Sequence, residues 1–288
     1  MSLAHIALLA IIQGLAELLP VSSSAHVVVA ERLLGMDPAA PAMTLLLVML
    51  HTGTMFAVIV YFWRQWRASY FQSRAAFGSF AGRLIVATAL TGLVGGALIV
   101  LIEHTLLRGA AHAQVEDLFN HLELIAPALA AGGVLICLAG WWSSRGRPQQ
   151  SGHEKLSLPQ ASLIGLMQGF SLPFRGFSRS GATISAGLLL GVSRVRAEAF
   201  SFALAVVLTP PVIAREALRL LHAERAAGGG DLSTVAGRCV LGALLAFLAG
   251  LLALRWLSRW LENGRWYLFG IYCLVAAAAV GMLYHLGY

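Results

Sequence analysis

Charged residues are scarce in this chain, and lysine is almost missing. Only 11% of the 288 residues are Asp, Glu, Lys or Arg, and Lys155 is the single lysine. With 58% hydrophobic residues and a mean hydropathy of +0.77, the chain has too few polar groups to cover a water-exposed surface. The composition excludes an ordinary soluble domain and indicates a polytopic membrane protein. The net charge is +7, and the basic residues that produce it are expected in cytoplasmic loops. The charge is therefore not interpreted as a nucleic-acid binding surface, and no nucleic-acid partner is predicted.

Cysteine is also rare. Cys137, Cys239 and Cys273 lie in apolar runs and show no CxxC spacing. The sequence therefore predicts neither a disulfide framework nor a zinc site, and the three side chains are interpreted as small hydrophobic groups.

Long apolar runs predict the membrane topology. Two segments, 3–35 and 158–191, are apolar but interrupted by Pro, Gly and Ser in LLPVSSSAH and LPFRGFSRSG. Each is predicted to form two short helices joined by a loop. Six uninterrupted apolar stretches are long enough to cross a hydrocarbon layer of about 30 Å. They cover 42–62, 84–102, 122–142, 198–217, 236–255 and 266–286.

The placement of arginine decides how the interrupted segments enter the membrane. Cytoplasmic loops hold an excess of Lys and Arg. The predicted loops show this excess only if each interrupted segment enters and leaves the membrane on the same face, as a re-entrant hairpin. The first hairpin then enters from the periplasmic face and the second from the cytoplasmic face. The basic residues assigned to the cytoplasm are Arg64, Arg67, Arg74, Arg83, Arg145, Arg147, Lys155, Arg194, Arg196, Arg255, Arg259 and Arg265. Those assigned to the opposite side are Arg32, Arg108, Arg219 and Arg225.

A short internal similarity supports an inverted repeat. LLAIIQGLAELLP at 8–20 resembles LIGLMQGFSLPF at 163–174. The predicted fold is a single all-α polytopic membrane domain, in which each half is a re-entrant helical hairpin plus three transmembrane helices. The hairpin tips are expected to meet near the midplane and to build a polar site there. The two halves are residues 1–142 and 158–288, separated by a cytoplasmic loop over 143–157.

Glu17 is an ionisable side chain within an apolar segment, and such a group marks a functional site by default. The other twelve acidic residues are expected in or beside segments outside the hydrocarbon. Gln13 lies one turn before Glu17 on the same helix face. Carboxylate and amide oxygens that point to one place can hold a hard divalent cation, Mg²⁺ or Ca²⁺, together with substrate phosphates. The alternative is a polar patch that hydrogen-bonds a neighbouring helix.

Hydroxyl groups and a histidine follow Pro20, which ends the first helix. Ser22, Ser23 and Ser24 open the next helix, whose free N–H groups attract phosphate, although ordinary N-capping is an alternative. His26 lies three and four positions after Ser23 and Ser22, so an imidazole and a hydroxyl can approach each other as base and nucleophile. His26 itself is another candidate to attack phosphorus. The nucleophile thus stays open between Ser23, His26 and water.

The second interrupted segment supplies a positive charge. The Arg179 guanidinium offers a fork of donors suited to phosphate, and at this depth it needs an anionic partner, either Glu17 or a bound phosphate. Arg175 is a second cation whose role the pattern does not define. His51 is interpreted as a core residue rather than a catalyst. Further phosphate contacts, with helix capping as the alternative, are predicted for Ser178, Ser180, Gly181 and Thr183.

Three stretches in the same order resemble the BacA type of undecaprenyl pyrophosphate phosphatase over essentially the whole chain. They are QGLAELLPVSSSAH at 13–26, LHTGTMFAVIVYFWR at 50–64 and GFSRSGATISAGLLLGVSR at 176–194. The resemblance implies an enzyme of the bacterial inner membrane whose active site opens to the periplasm. It implies removal of the terminal phosphate of undecaprenyl pyrophosphate, supply of the monophosphate for peptidoglycan synthesis, bacitracin resistance and dependence on a divalent cation. A homodimer is an open alternative to a monomer.

The resemblance also implies roles for particular residues. The Glu/Gln-x-x-x-Glu motif of the family falls on Gln13 and Glu17, and its serine-and-histidine stretch falls on 22–26. Its Pro-Gly-x-Ser-Arg-Ser-Gly motif falls on Gly176 to Gly181. The chain departs from the pattern at Gln13, where many relatives carry Glu, and at Arg175, where a proline is expected.

A second class of function is consistent with the same pattern. Inverted repeats with interrupted helices at the midplane also build secondary transporters. A transporter or flippase would move an anionic polyprenyl phosphate lipid and would use Glu17 as a proton or cation coupling site.

Overall fold

A computed structural model of the chain describes residues 2–36, 41–105, 122–145, 156–227 and 232–286. These residues form ten helices and no strand, which confirms the all-α prediction. Arg108, Arg147 and Lys155, which enter the predicted topology, lie outside the described residues. The helices are α1 (Leu3–Leu18), α2 (Ser23–Leu33), α3 (Pro41–Tyr70), α4 (Arg74–Thr105), α5 (Leu122–Ser144), α6 (Leu158–Ser171), α7 (Arg179–Leu189), α8 (Arg194–Ala227), α9 (Leu232–Glu262) and α10 (Tyr267–His285).

Five helices are long and apolar enough to cross a membrane: α3, α4, α5, α9 and α10. They contain five of the six predicted spans. The sixth, 198–217, lies in α8, whose side chains are described only in part, so this span stays a prediction. Residues Phe200 to Ala205 of α8 are buried against protein.

Each interrupted segment forms two short helices, as predicted. Helix α1 ends at Leu18, two residues before Pro20, and α2 begins at Ser23. Helix α6 begins with a capping box between Ser157 and Gln160, in which each side chain bonds the other residue's backbone. It ends before the sequence LPFRGFS, which leads into α7.

Small residues let the short helices pack closely on the long ones. Helix α1 lies against α9 at Gly14, where an added Cβ would come within 2.7 Å of the Ala246 carbonyl oxygen. Helix α6 lies against α4 at Gly169, where an added Cβ would come within 2.8 Å of the Thr91 carbonyl oxygen. Close backbone approach at small residues is the usual packing mode of helices in a membrane. These contacts hold both short helices inside the bundle.

Helix α7 lies in the interior of the protein. It packs against α5, α6 and α8, and all residues from Ser180 to Leu188 are buried. Because its first residue is Arg179, the fold places a guanidinium group next to the end of α1.

Candidate active site

The two helix breaks meet around a polar cavity of about 250 Å³. We refer to this cavity as the polar cavity. The helix ends of α1 and α6 and the helix starts of α2 and α7 surround it. Its polar lining residues are Glu17, Ser22, Ser23, Ser24, His51, Ser171, Arg175, Ser178, Arg179 and Ser180.

The Glu17 carboxylate is the centre of the polar contacts. Arg179 Nη2 donates to Glu17 Oε1 at 2.6 Å. Gln13 Nε2 donates to Glu17 Oε2 at 3.1 Å. The expectation that an acid from the first segment meets a guanidinium from the second is confirmed by the first of these contacts. Gln13 turns its amide nitrogen, and not its oxygen, toward the carboxylate.

Ser23 is the hydroxyl closest to the Glu17 carboxylate. Its Oγ donates to Glu17 Oε2 at 2.5 Å. A carboxylate that accepts a hydrogen bond from a hydroxyl at this distance is in the position of a general base for that hydroxyl. Ser24 also lines the cavity, and its hydroxyl contacts Ser22 Oγ at 3.3 Å.

The turn before α2 has an unusual backbone conformation. Ser22 has φ +66°, and no other non-glycine residue in the described ranges has a positive φ. Such a conformation costs about 1–3 kcal/mol and persists only where surrounding contacts fix it. One such contact is the hydrogen bond that the Ser22 carbonyl accepts from His26 Nδ1 at 2.8 Å.

His26 does not occupy the place that the sequence suggested. It was expected to approach the hydroxyl of Ser22 or Ser23, but its Nδ1 instead bonds the Ser22 carbonyl. Since a carbonyl can only accept, Nδ1 carries the proton, and Nε2 of the neutral ring accepts from the Tyr272 hydroxyl at 2.7 Å. The two rings also stack, 5.6 Å apart. His26 is not among the residues that line the polar cavity.

The start of α7 holds Arg179 and the cavity-lining hydroxyl groups of the second segment. Ser178 is the N-cap, and its Oγ accepts from the Gly181 N–H at 3.1 Å. Ser180 Oγ donates to the Leu19 carbonyl at 3.4 Å, which ties α7 to the end of α1. Both serines line the cavity.

Two predicted phosphate ligands lie elsewhere. Thr183 is fully buried, its hydroxyl donates to the Arg179 carbonyl at 2.9 Å, and it contacts Ser201 Oγ at 2.5 Å. The Gly181 N–H is used by the cap at Ser178, and an added Cβ at Gly181 would come within 2.7 Å of Ile136 Cδ1. Neither residue is among those that line the polar cavity, and their role as phosphate ligands stays a prediction.

Gly176 fixes the loop before α7. Its φ is +99°, which an L side chain rarely adopts. An added Cβ would also lie 2.5 Å from the Ile125 carbonyl oxygen on α5. Both constraints require glycine here, and they set the path along which the chain reaches Arg179.

Sequence reasoning missed His51 as a cavity residue. Its Nε2 lies 3.7 Å from Glu17 Oε2, while its Nδ1 donates to the Leu47 carbonyl at 2.8 Å. The interpretation of His51 as a core residue is therefore corrected. A polar residue inside an apolar span was the available signal, and it has the same weight for His51 as for Glu17.

Two acidic residues besides Glu17 are buried within the protein. Glu31, on α2, is 1% exposed, and Arg175 is the charged group that acts on it electrostatically. Glu198 is 4% exposed, and its Oε1 accepts from Ser258 Oγ at 2.6 Å. Ser258 in turn accepts from the Tyr61 hydroxyl at 3.0 Å, so this carboxyl belongs to a separate buried network.

The residues around Glu17 do not by themselves form a metal site. No group of three or more His, Cys, Asp or Glu with metal-binding geometry occurs in the part of the chain that the structure describes. Glu17 provides one carboxylate, and both of its oxygens already accept hydrogen bonds. Such a donor set suits a cation whose other ligands come from substrate phosphates.

The fold and the site together define a class of protein. Apolar helices that enclose an acid–guanidinium pair beside a hydroxyl-lined cavity are the features of a helical membrane protein with a site for an anionic ligand. The family described as bacitracin resistance protein BacA matches residues 6–279. The chain belongs to this family.

Relatives with assigned names align over nearly the full length of the chain. One is undecaprenyl-diphosphatase 2 of Acinetobacter baylyi, which is 56% identical over 97% of this chain and 97% of its own. Undecaprenyl-diphosphatase 2 of Burkholderia orbicola is 35% identical over 96% and 95% of the two chains. Undecaprenyl-diphosphatase of Rhodopirellula baltica is 31% identical over 98% of each.

Proposed function

We propose that this chain is an undecaprenyl-diphosphatase that removes the terminal phosphate of undecaprenyl pyrophosphate. The product, undecaprenyl phosphate, serves peptidoglycan synthesis, and the activity confers bacitracin resistance. The observation that carries the proposal is the Glu17 carboxylate, which bonds Arg179 at one oxygen and Ser23 at the other. These two contacts support a role for Arg179 in anion binding and for Ser23 as the hydroxyl that Glu17 activates.

The proposed reaction is an in-line displacement at the terminal phosphorus. The Arg179 guanidinium binds the oxygens of the terminal phosphate, since phosphoryl transfer depends mainly on positioning and charge neutralisation. Glu17 takes the Ser23 proton as Ser23 Oγ bonds to phosphorus. The bond from phosphorus to the bridging oxygen breaks, Glu17 passes the proton to that oxygen, and undecaprenyl phosphate leaves. Glu17, again a carboxylate, takes a proton from water as the water oxygen bonds to the phosphorus of the phosphoserine; the bond to Ser23 Oγ breaks, Ser23 regains a proton from Glu17, and inorganic phosphate is released.

Other residues of the polar cavity assist this step in the proposal. Ser22, Ser24, Ser178 and Ser180 present hydroxyl groups toward the cavity. His26 contributes indirectly, because its bond to the Ser22 carbonyl fixes the strained turn that carries Ser23. We assign His26 a positioning role and leave the chemical step to Ser23.

The proposal includes a divalent cation, Mg²⁺ or Ca²⁺, held mainly by the pyrophosphate oxygens. Glu17 and Gln13 are the protein groups that would hold the cation, which would neutralise phosphate charge. Equilibrium dialysis of the purified protein against ⁴⁵Ca²⁺ tests this assignment. We expect stoichiometric retention with a non-hydrolysable lipid pyrophosphate and none without it. Stoichiometric retention by the protein alone would assign the ion to the protein.

We further infer that the chain is an inverted repeat of two halves, each with a re-entrant hairpin. The observation in favour is an exchange of partners: α1 of the first half packs on α9 of the second, and α6 of the second packs on α4 of the first. Gly14 and Gly169, which match in the internal similarity, lie at these two contacts. The proposed location is the bacterial inner membrane, with the polar cavity open to the periplasm. Cysteine accessibility to a membrane-impermeant reagent at Ser24→Cys tests the orientation.

Transport of a polyprenyl phosphate lipid is the competing function, because an intramembrane acid also suits a coupling site. Purified protein in detergent separates the two, since a micelle has no second compartment. We expect release of inorganic phosphate from undecaprenyl pyrophosphate under these conditions. Absence of release, with intact lipid recovered, would favour transport.

A further inference from the structure

A second cavity adjoins the polar cavity and differs from it in chemistry. It measures about 350 Å³ and lies between the end of α4, the start of α5 and the connection from α6 to α7. We call it the apolar groove. Its volume is within the range of about 300–1,000 Å³ typical of small-molecule sites. Its hydrophobic lining includes Ile102, Leu124, Ala131, Phe170, Phe174 and Phe177.

The apolar groove and the polar cavity are adjacent and share part of their lining. Phe174, Arg175 and Phe177 line both. The aromatic side chains support one another, because the Phe170 ring lies 5.2 Å from that of Phe174 and 5.7 Å from that of Phe177. In the arrangement inferred below, a ligand with its polar head in the first cavity extends an apolar chain past these shared residues into the second.

Another route from the catalytic pair is too narrow. A cavity beside Glu17 and Arg179, lined by Thr54, Met55 and Phe202, measures about 20 Å³. That is about the space of one water molecule. A prenyl chain does not fit in this space.

Arg175 marks the junction between the two cavities. It lines both of them, and its charge acts on the buried Glu31 carboxyl of α2. The proximal phosphate of a prenyl pyrophosphate is negatively charged and is bonded directly to the prenyl chain. A cation at the boundary between the two cavities suits this group. Arg179 and Ser23 then face the terminal phosphate.

We propose that the apolar groove binds the first isoprenyl units of the substrate, with the proximal phosphate at Arg175. The proposal rests on the phosphatase function and adds a tail site that orients the pyrophosphate. The groove opens beside Leu124 and Phe170, which are 45% and 44% exposed, so the rest of the chain continues into lipid.

Substitution of Ala131 by tryptophan tests the tail site. Ala131 is an exposed residue of α5 that lines the groove and makes no part of the polar cavity. The matched control is Ala279→Trp, an exposed alanine on α10. Each protein is assayed in detergent with farnesyl pyrophosphate and with dimethylallyl pyrophosphate, whose single isoprenyl unit needs little of the groove.

We expect Ala131→Trp to lower kcat/KM for farnesyl pyrophosphate by about tenfold or more, as misplacement of a bound substrate does. Hydrolysis of dimethylallyl pyrophosphate by this variant, and of both substrates by Ala279→Trp, should stay within about twofold of the unmodified protein. If Ala131→Trp changed kcat/KM by the same factor for the two substrates, relative to the unmodified protein, the tail site would be overturned. This holds whether both values are normal or both are reduced. Failure of the unmodified protein to hydrolyse undecaprenyl pyrophosphate in the same assay would instead refute the proposed function.

Photochemical labelling gives a readout that does not depend on catalysis. The probe is a farnesyl methylenebisphosphonate with a diazirine on its first isoprenyl unit. We expect the label on Phe170, Phe174 or residues 122–131, and its loss in Ala131→Trp. Labelling spread over the outer faces of α9 and α10 would show that the chain lies in the surrounding detergent and would overturn the proposal.

Discussion

Glu17 and Arg179 are 162 positions apart in the chain, and their side chains are joined by a hydrogen bond of 2.6 Å. Each residue belongs to a helix that starts or stops at a break within an apolar segment. The pair closes the contact between those breaks, and it neutralises two charges that would otherwise be isolated in the bundle. The same two groups are therefore expected to matter for both stability and activity.

Removal of one member of the pair should destabilise the protein more than removal of both. Loss of one partner of a fully buried pair costs about 3–5 kcal/mol, and less is expected here because 28% of the Arg179 side chain is exposed to the cavity. A double-mutant cycle of Glu17→Gln and Arg179→Gln, measured by thermal unfolding in detergent, should give a coupling energy of about 1–3 kcal/mol. Strictly additive effects would show that the contact does not stabilise the fold.

Ser23 and Ser24 should differ sharply although they are neighbours. Ser23→Ala removes the hydroxyl that donates to Glu17, so turnover should fall by about 10²–10⁴-fold, the range of lost proton-transfer catalysis. Ser24→Ala removes a hydroxyl whose described partner is Ser22, and a loss below about tenfold is expected. Trapping with ³²P-labelled substrate should give a phosphoenzyme in Ser24→Ala and none in Ser23→Ala. A phosphoenzyme in Ser23→Ala would assign the attack to another group.

His26 should act through position and not through proton transfer. Tyr272→Phe removes the hydroxyl that donates to Nε2 and should change kcat by less than about tenfold. His26→Asn loses the ring bond to the Ser22 carbonyl and should lower kcat, while the shape of its pH profile stays unchanged. Loss of one limb of the pH–rate profile in His26→Asn would instead identify His26 as an acid or base.

Gly176 should tolerate no side chain. Gly176→Ala meets both a positive φ and the Ile125 carbonyl oxygen, and we expect destabilisation of more than about 2 kcal/mol. Gly191→Ala has the positive φ but open space, and should cost about 1–2 kcal/mol. Gly96→Ala, in the middle of α4 with open space, should be neutral or stabilising by up to about 1 kcal/mol. Thermal unfolding of the three variants in detergent checks the order, and equal stability of all three would contradict it.

The sequence was sufficient to predict the features that depend on single unusual residues. Glu17 and Arg179 are conspicuous because ionisable groups within apolar segments are rare. Pro20 and the glycines and serines near 176–181 predicted the helix breaks, because Pro, Gly and Ser clusters mark turns and loops. The all-α class and five of the apolar spans followed from hydrophobic length alone.

The remaining features depend on packing, which the sequence pattern does not contain. His51 reaches Glu17 only because α1 and α3 lie side by side. Thr183 carries the same hydroxyl as Ser180, but it lies on the face of α7 that turns toward Ser201. His26 bonds the carbonyl four residues before it, as His51 does, and this common helical contact competes with any hydroxyl partner.

The most direct test of the central claim compares phosphate release by the unmodified protein and two variants, Glu17→Gln and Arg179→Lys. Purified proteins are assayed in detergent with undecaprenyl pyrophosphate, and circular dichroism verifies that each variant is folded. We predict rapid release by the unmodified protein and a fall in kcat/KM of at least about 10²-fold in each variant, because each change removes a charge or a bidentate donor at the reacting phosphate. Rates within a few-fold of the unmodified protein in either variant would contradict the claim that this pair carries the reaction.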